Sequence, residues 1–401
     1  MIGLVDCDNF FVSCERALKP GLNGKPVLVL SANDGCVVSR SNEAKALGIP
    51  MGIPAFKIKE LIVKEGIFVF SSHFDLYEET SARVMNILKN NAPRIEVYSI
   101  DEAFLDLSGM SYLKEYGAHL VQTVMYDAKV PVSLGIAPTK TLAKIASHFA
   151  KKYKRYQHVC VIDTAEKRLK ALQLTPIEDV WGIGRRLSVR LKAKGIQTAY
   201  DFTHLSRRWV RQTMTVVGER IWRELNGEPC YEFEAQAPDK QQISSSRSFE
   251  HMVTDLETLC QAVAKHASTC ARKLRAQHSC VASMVVYVRT NRFRDDLPQC
   301  WKQGTVTFPV ATSDTLDIVD GAVEALKKIY EEGYHYKKAG VMMTQIVPET
   351  SVQTDLFDQK DWAKSKKLMQ AVDAINEKYA RKTVLTAAEC SVQDEKINAA
   401  S

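Results

Sequence analysis

At 401 residues the chain is too long for one compact core, and its 45% hydrophobic and 25% charged residues suit about two to four globular domains. No apolar run approaches the roughly 18 residues that span a bilayer, and the ten cysteines stand singly without a Cys-x-x-Cys pair; this excludes a membrane helix and a zinc ribbon and reads as reduced cytosolic thiols. The formal charge is only +7, yet Glu166 to Cys230 holds 13 Lys and Arg against 7 Asp and Glu, so this one segment is built to face something anionic.

In chain order, Met1 to Val5 are apolar and stop at Asp6 with no basic cluster, which reads as a buried strand rather than a signal peptide. The strand runs into Asp6-Cys7-Asp8-Asn9-Phe10-Phe11, after which Val12 to Glu15 can start a helix. An acid at the C-terminal mouth of a buried strand is where α/β proteins place chemistry. A strand from Lys25 to Ser31 and a turn at Asn33 to Cys36 precede Val37 to Gly48, which opens as a strand and continues as a helix closed by Gly48. Within it Ser39, Asn42 and Lys45 recur at every third position, the latter two on one helix face.

A helical pattern from Leu76 to Asn91 leads to a hairpin: Ile95 and Val97, then Phe104, Leu105 and Leu107, with Ser99-Ile100-Asp101-Glu102 at the join. Successive strand residues point to opposite faces, so Asp101 and Glu102 reach one ion only through a turn or bulge. Alone, the pair reads as a solvated hairpin tip. Asp6 is a candidate third carboxylate, and three acids suit two Mg²⁺ ions, which sit about 3.5–4 Å apart and share bridging ligands.

Val132 to Ala137 reads as a further strand and Pro138-Thr139-Lys140-Thr141 as a helix start; Leu142, Ile145, Ala146 and Phe149 bury one face and leave Lys144 and Lys151 off it. Val180-Trp181-Gly182-Ile183-Gly184-Arg185-Arg186-Leu187 then opens the basic unit. A Gly-x-Gly turn followed at once by a basic helix resembles the helix-hairpin-helix module, in which glycines let backbone amides approach a DNA phosphate. Gln236 to Asp239 reads as a linker. Beyond it the elements run β-α-β-β-α-β, a ferredoxin-like split unit with one sheet face free for a ligand; Arg247, Arg289, Arg292 and Arg294 in this region suit a DNA backbone. After Pro348, the run Gln353-Thr354-Asp355-Leu356-Phe357-Asp358 sets two bulky apolar residues in polar surroundings, as a docking peptide does. Ala387 to Ser401 is expected to be mobile.

Four of these motifs together, Asp6 to Phe11, Ser99 to Ala103, Gly135-Ile136-Ala137-x-x-Lys140-x-Leu142-Ala143-Lys144 and Trp181 to Gly184, resemble the Y-family, or translesion, DNA polymerases. Within that family the chain is most similar to the UmuC-like branch, catalytic subunits of bacterial DNA polymerase V. The resemblance implies a mixed α/β (α+β), multi-domain right hand: a ferredoxin-like palm at 1–10 and 75–165, small fingers at 11–74, a helix-hairpin-helix thumb at 166–235, a βαββαβ little finger at 240–347 and a tail at 348–401. It implies error-prone, template-directed addition of dNTPs to a primer opposite damaged bases, in an SOS-type response in the bacterial cytoplasm.

Carried onto this sequence, the resemblance makes Asp6, Asp101 and Glu102 the side-chain ligands of two Mg²⁺ ions, with Mn²⁺ as a substitute, and the Cys7 carbonyl a backbone ligand. Phe11 falls at the steric gate against a 2′-hydroxyl. Ser39, Asn42, Lys45 and Lys151 fall where the family contacts the triphosphate; many relatives carry tyrosine at the Asn42 position and arginine at that of Lys45. Gly182, Gly184, Arg185, Arg186 and Arg247 are the expected DNA contacts, and Gln353, Leu356 and Phe357 the expected contacts to the bacterial sliding clamp. The implied partners are primer-template DNA, dNTPs, that clamp, a UmuD′-like dimer and a RecA filament, with no membrane. A DNA-binding module without catalysis would have no use for three acids, and a palm-like nucleotidyl cyclase none for the Gly-x-Gly turn.

Overall fold

The structure, a computed structural model, describes residues 1–234, 238–353, 360–379 and 383–390 and divides into two units, Met1–Ala237 and Pro238–Ser401. The first runs β1 (Ile2–Cys7), α1 (Phe10–Leu18), β2 (Val27–Leu30), β3 (Val37–Arg40), α2 (Asn42–Ala46), α3 (Lys59–Lys64), β4 (Phe68–Phe70), α4 (Phe74–Asn91), β5 (Arg94–Val97), β6 (Glu102–Asp106), α5 (Leu113–Asp127), β7 (Val132–Ala137), α6 (Lys140–Lys152) and β8 (Val159–Val161), then the helices α7 (Ala165–Leu174), α8 (Arg185–Lys192), α9 (Ala199–Thr203) and α10 (Arg207–Leu225).

Its main sheet has the order β5-β6-β1-β7-β8, antiparallel except between β7 and β8. Both faces are covered, which explains the near-continuous apolar strands. Val5, Cys7 and Leu105 join a core with Phe10, Val84, Leu88 and Leu120 from α1, α4 and α5. Leu4 and Phe104 face the other way, onto Leu142, Ile145 and Phe149 of α6, and that core continues into Ile183, Leu191, Phe202 and Ile221 of the helical region. Gly135 lets α6 lie directly on β7: a Cβ there would stand 2.0 Å from the Ser147 nitrogen and 2.3 Å from the Ala143 carbonyl oxygen. A separate small sheet, β3-β2-β4, packs Leu28, Leu30 and Val37 against Ala44, Ile49 and Ile58.

The second unit comprises β9 (Ile243–Val253), α11 (Leu256–Ala276), β10 (Ser279–Thr290), β11 (Trp301–Thr312), α12 (Thr315–Ile329), β12 (Tyr336–Pro348) and α13 (Trp362–Tyr379). The β-α-β-β-α-β order is as expected, and the strands lie β11-β10-β12-β9, every pair antiparallel. Apolar positions of α11 and α12 pack on Met284, Val286, Val288, Val341 and Met343. Register places Trp301, Arg289, Lys338 and Ser248 in one row on the opposite, uncovered face. Arg247 pairs with the buried Ala339 and so projects on the helix-bearing side of the edge strand β9, not on the open face with Arg289. The two-residue period of a strand separates them. Arg294 is engaged by Asp296 at 2.6 Å.

The described residues after Pro348 include a helix and a short turn. Helix α13 is tied down by Arg275, whose guanidinium donates to both Asp373 oxygens at 2.6 and 2.8 Å, and by buried Met369. Ala387–Glu389, expected to be mobile, form a 3-10 turn with Glu389 buried, while 391–401 lie outside the described residues. Gln353 is exposed; Leu356 and Phe357 lie outside the described residues. All ten cysteines are free thiols, and among the described residues no helix is long and apolar enough to cross a membrane.

Because the backbone of α6 occupies the space beside Gly135, Gly135→Ala is expected to cost about 3 kcal/mol or more in denaturant unfolding. Gly21→Ala, where no atom lies within 4 Å of the new Cβ, serves as the comparison, and it should stay within about 0.5 kcal/mol.

Candidate active site

Asp6 is the penultimate residue of β1, and the ladder sets it opposite Glu102 on one side and Ser133 on the other. Directly opposed residues project from the same face, so the two carboxylates share a row on the side covered by α6. The Cys7 amide donates to the Asp101 carbonyl at 2.9 Å, which fastens the turn to the end of β1. Asp101 precedes the ladder of β6. The Ser99 hydroxyl donates to its carboxylate at 2.6 Å and accepts from the Glu102 amide at 3.1 Å. The turn thus supplies the break in alternation that two adjacent acids require. The Cys7 thiol is buried with the apolar core, and burial pushes it well up, so Cys7 offers this rim its backbone.

Lys144 and Lys151, about two turns apart on α6, both reach the row. Lys144 Nζ donates to the two Glu102 oxygens at 2.8 and 3.1 Å and stands over the rings of Tyr98 and Trp181. Lys151 donates to Asp6 and lies 3.5 Å from Asp8. Asp8 also accepts from the buried Ser133 hydroxyl at 3.1 Å and lies 3.4 Å from His158 Nδ1, a hydrogen bond that pushes His158 up. Burial raises Asp6 to about 6; Lys151 opposes the shift, and Glu102 and Asp101 add to it. The donor set suits a divalent cation in type, since hard ions take carboxylate and carbonyl oxygens. Among the described residues no three His, Cys, Asp or Glu side chains are gathered as a ligand group. Lys144, Lys151 and Ser99 each engage one of the three acids instead.

A second cluster adjoins the start of α1. The Phe11 ring stacks on Tyr77 at 4.4 Å and 13°, with Phe74 edge-on at 6.3 Å. Asn9, in the left-handed region at φ 50°, donates to Asn42 Oδ1 at 3.1 Å and accepts from Lys45 Nζ at 2.5 Å. The Ser39 hydroxyl is buried and donates to the Asn9 carbonyl at 3.4 Å. Ser39, Asn42 and Lys45 therefore meet around Asn9, whereas Lys151 belongs to the acid row. Sequence reading missed Asn9, Asp8 and Lys144. The seven-residue separation of Lys144 from Lys151 was the available signal for the last.

In the basic segment Gly182 takes φ +88°, and a Cβ there would meet Ile221 Cδ1 at 2.6 Å. Gly184 caps α8, at whose start Arg185 and Arg186 are exposed.

A carboxyl whose folded value is raised holds its proton longer than in the unfolded chain, so it costs stability as pH rises through the interval from 3.8 to about 6. Asp6→Asn is therefore expected to stabilise the fold by about 2 kcal/mol at pH 7, measured by denaturant unfolding with a chelator present, and the gain should vanish below about pH 4.

Comparison with known proteins shows which family the chain belongs to. The profile of the impB/mucB/samB family matches residues 5–148, and that of the family's C-terminal domain residues 240–356. The chain is 43% identical to protein UmuC of Salmonella typhimurium over 96% of this chain and 92% of that protein. It is 41% identical to protein ImpB of the same organism over 94% and 90%, and 25% identical to DNA polymerase IV of Bacillus velezensis over 99% and 95%. A Y-family DNA polymerase chimera of Dbh and Dpo4 superposes with a TM-score of 0.65 over 87% of this chain and the whole of that one; at 22% identity this likeness is one of fold. The chain belongs to the impB/mucB/samB family, the UmuC-like branch of the Y-family DNA polymerases, enzymes that copy damaged DNA with low fidelity.

Proposed function

We propose that the row formed by Glu102 and Asp6, with Asp101 fastened to its end, is the nucleotidyl-transfer centre of this polymerase. The observation that carries the reading is the β1–β6 register, which brings Asp6 beside Glu102 on one face. Nucleotidyl transfer in this family needs divalent metal. Asp6, Asp101, Glu102 and the Cys7 carbonyl are the groups that would hold two Mg²⁺ ions, or Mn²⁺ in their place. When bound, such ions lower the pKa of an attacking hydroxyl and neutralise phosphoryl charge.

The remaining roles belong to the chain's own side chains. The Phe11 ring, backed by Tyr77, closes the floor beneath the sugar and excludes a 2′-hydroxyl. Ser39, Asn42 and Lys45 around Asn9, together with Lys151, grip the triphosphate of the incoming dNTP. Lys45 does so as a point charge without the bidentate fork of arginine. Gly182 and Gly184 bring backbone amides to a phosphate of primer-template DNA, with Arg185 and Arg186 beside them and Arg247 in the second unit adding charge. The main sheet would serve as palm (1–10 and 75–165), the small sheet as fingers (11–74), the helical region as thumb (166–235) and the second unit as little finger (240–347).

On this reading Gln353, Leu356 and Phe357 dock on the bacterial sliding clamp, and a UmuD′-like dimer and a RecA filament assist synthesis in the cytoplasm.

Asp101→Asn should reduce Mg²⁺-dependent primer extension by about a thousandfold or more while leaving salt-dependent primer-template affinity within about twofold. Extension at the parental rate would refute the assignment, and the same measurement separates a polymerase from a non-catalytic DNA-binding module. Deleting Leu356 and Phe357 should shorten the products made with the clamp and leave those made without it unchanged; a loss of basal synthesis would make the segment structural.

A further inference from the structure

We infer that Glu15, a buried acid with no part in the chemistry above, is a positioning residue for sugar selection, holding the Phe11 gate in place through Tyr77. The inference rests on Phe11 being the gate.

Glu15 lies four residues after Phe11 on α1, on the same helix face, and is only 1% exposed. One of its oxygens, Oε1, accepts the Tyr77 hydroxyl at 2.8 Å and lies 2.7 Å from His73 Nδ1. His73 and Tyr77 are again four apart, at the start of α4, where the Tyr77 amide also donates to the His73 carbonyl. Tyr77 is wholly buried; burial, together with its bond to Glu15, pushes its phenol well above the ordinary value, so it remains a neutral donor. Its ring is the surface on which Phe11 lies nearly parallel, and Phe74 closes both rings edge-on.

Two stacked rings can slide and tilt at little cost, since stacking tolerates many offsets. A hydroxyl held by a buried carboxylate does not move so freely: losing that bond would leave the buried Tyr77 oxygen without its acceptor, while His73 keeps the carboxylate in place. Glu15 therefore fixes the tilt of Tyr77, and Tyr77 fixes how far Phe11 can yield to a bulkier sugar. An apolar residue at position 15 would pack as well against α4 but would leave the rings free to shift.

The test is single-nucleotide incorporation by the full chain with matched dNTP and rNTP, comparing the parental enzyme with Phe11→Ala, Tyr77→Phe, Glu15→Leu and Glu15→Gln, alongside thermal melting. Tyr77→Phe and Glu15→Leu are each expected to raise the rNTP-to-dNTP ratio of kcat/KM by about five- to tenfold, the effect of one lost charge-assisted hydrogen bond. Most of that change should come from KM for the ribonucleotide. Glu15→Gln, which retains an acceptor, should stay within about twofold. If Phe11→Ala relaxes the ratio while Tyr77→Phe and Glu15→Leu lower only the melting temperature, Glu15 is structural and the inference fails. If Phe11→Ala itself leaves the ratio unchanged, the gate reading fails, and the inference with it. Tyr77→Phe removes a single oxygen, so it decides the matter should Glu15→Leu not fold.

Discussion

The placement of the acids depends on the pairing of β1 with β6. An antiparallel ladder leaves no freedom in which residues face one another, and here it sets Asp6 opposite Glu102, with the Cys7 amide closing on the Asp101 carbonyl at 2.9 Å. A slip of one residue would turn Asp6 into the apolar core beside α1 and bring Val5 to the rim. The register is held by burial on both sides: Leu4 and Phe104 are locked beneath α6, Val5 and Leu105 against α1, α4 and α5. The row of Asp6 and Glu102 thus inherits its rigidity from apolar side chains on both faces of the sheet.

Concentrating acids at a sheet end is costly, and the fold offsets it locally. Helix α6 carries Lys144 to Glu102 and Lys151 to Asp6, and it lies close enough to do so because Gly135 lacks a side chain where the helix backbone passes. Burial nevertheless wins at Asp6, whose carboxyl remains raised to about 6 despite the adjacent lysine. A rim under that tension favours any additional positive charge, which is consistent with a centre that handles cations and triphosphates.

The second unit applies the same two-residue alternation to a different end. Its helices claim one face of the sheet, and the other keeps a row of Trp301, Arg289, Lys338 and Ser248 in the open. Helix α13 packs by an Arg275–Asp373 pair and by Met369, so part of the chain beyond β12 returns to this unit.

Much of this was legible in the residues themselves. Strand and helix periods located β1, β7, α6 and the β-α-β-β-α-β order and put Asp6 at the mouth of a buried strand. Asp101 and Glu102 alone read as a solvated hairpin tip and gained meaning only beside Asp6 and the family resemblance. Helix α13 escaped notice because only Met369 among its residues is buried, which leaves a faint apolar stripe. Asp8 and Asn9 looked like ordinary turn residues, and Glu15 like a polar position on a surface helix, since what sets them apart is whom they touch: Ser133 and His158, Lys45 and Asn42, Tyr77 and His73. The sequence by itself determined the elements and the chemical types at their ends, because propensity and periodicity are local. Only tertiary structure decided which carboxylate faces which lysine and which ring rests on which, because those partners lie far apart along the chain and meet through packing alone.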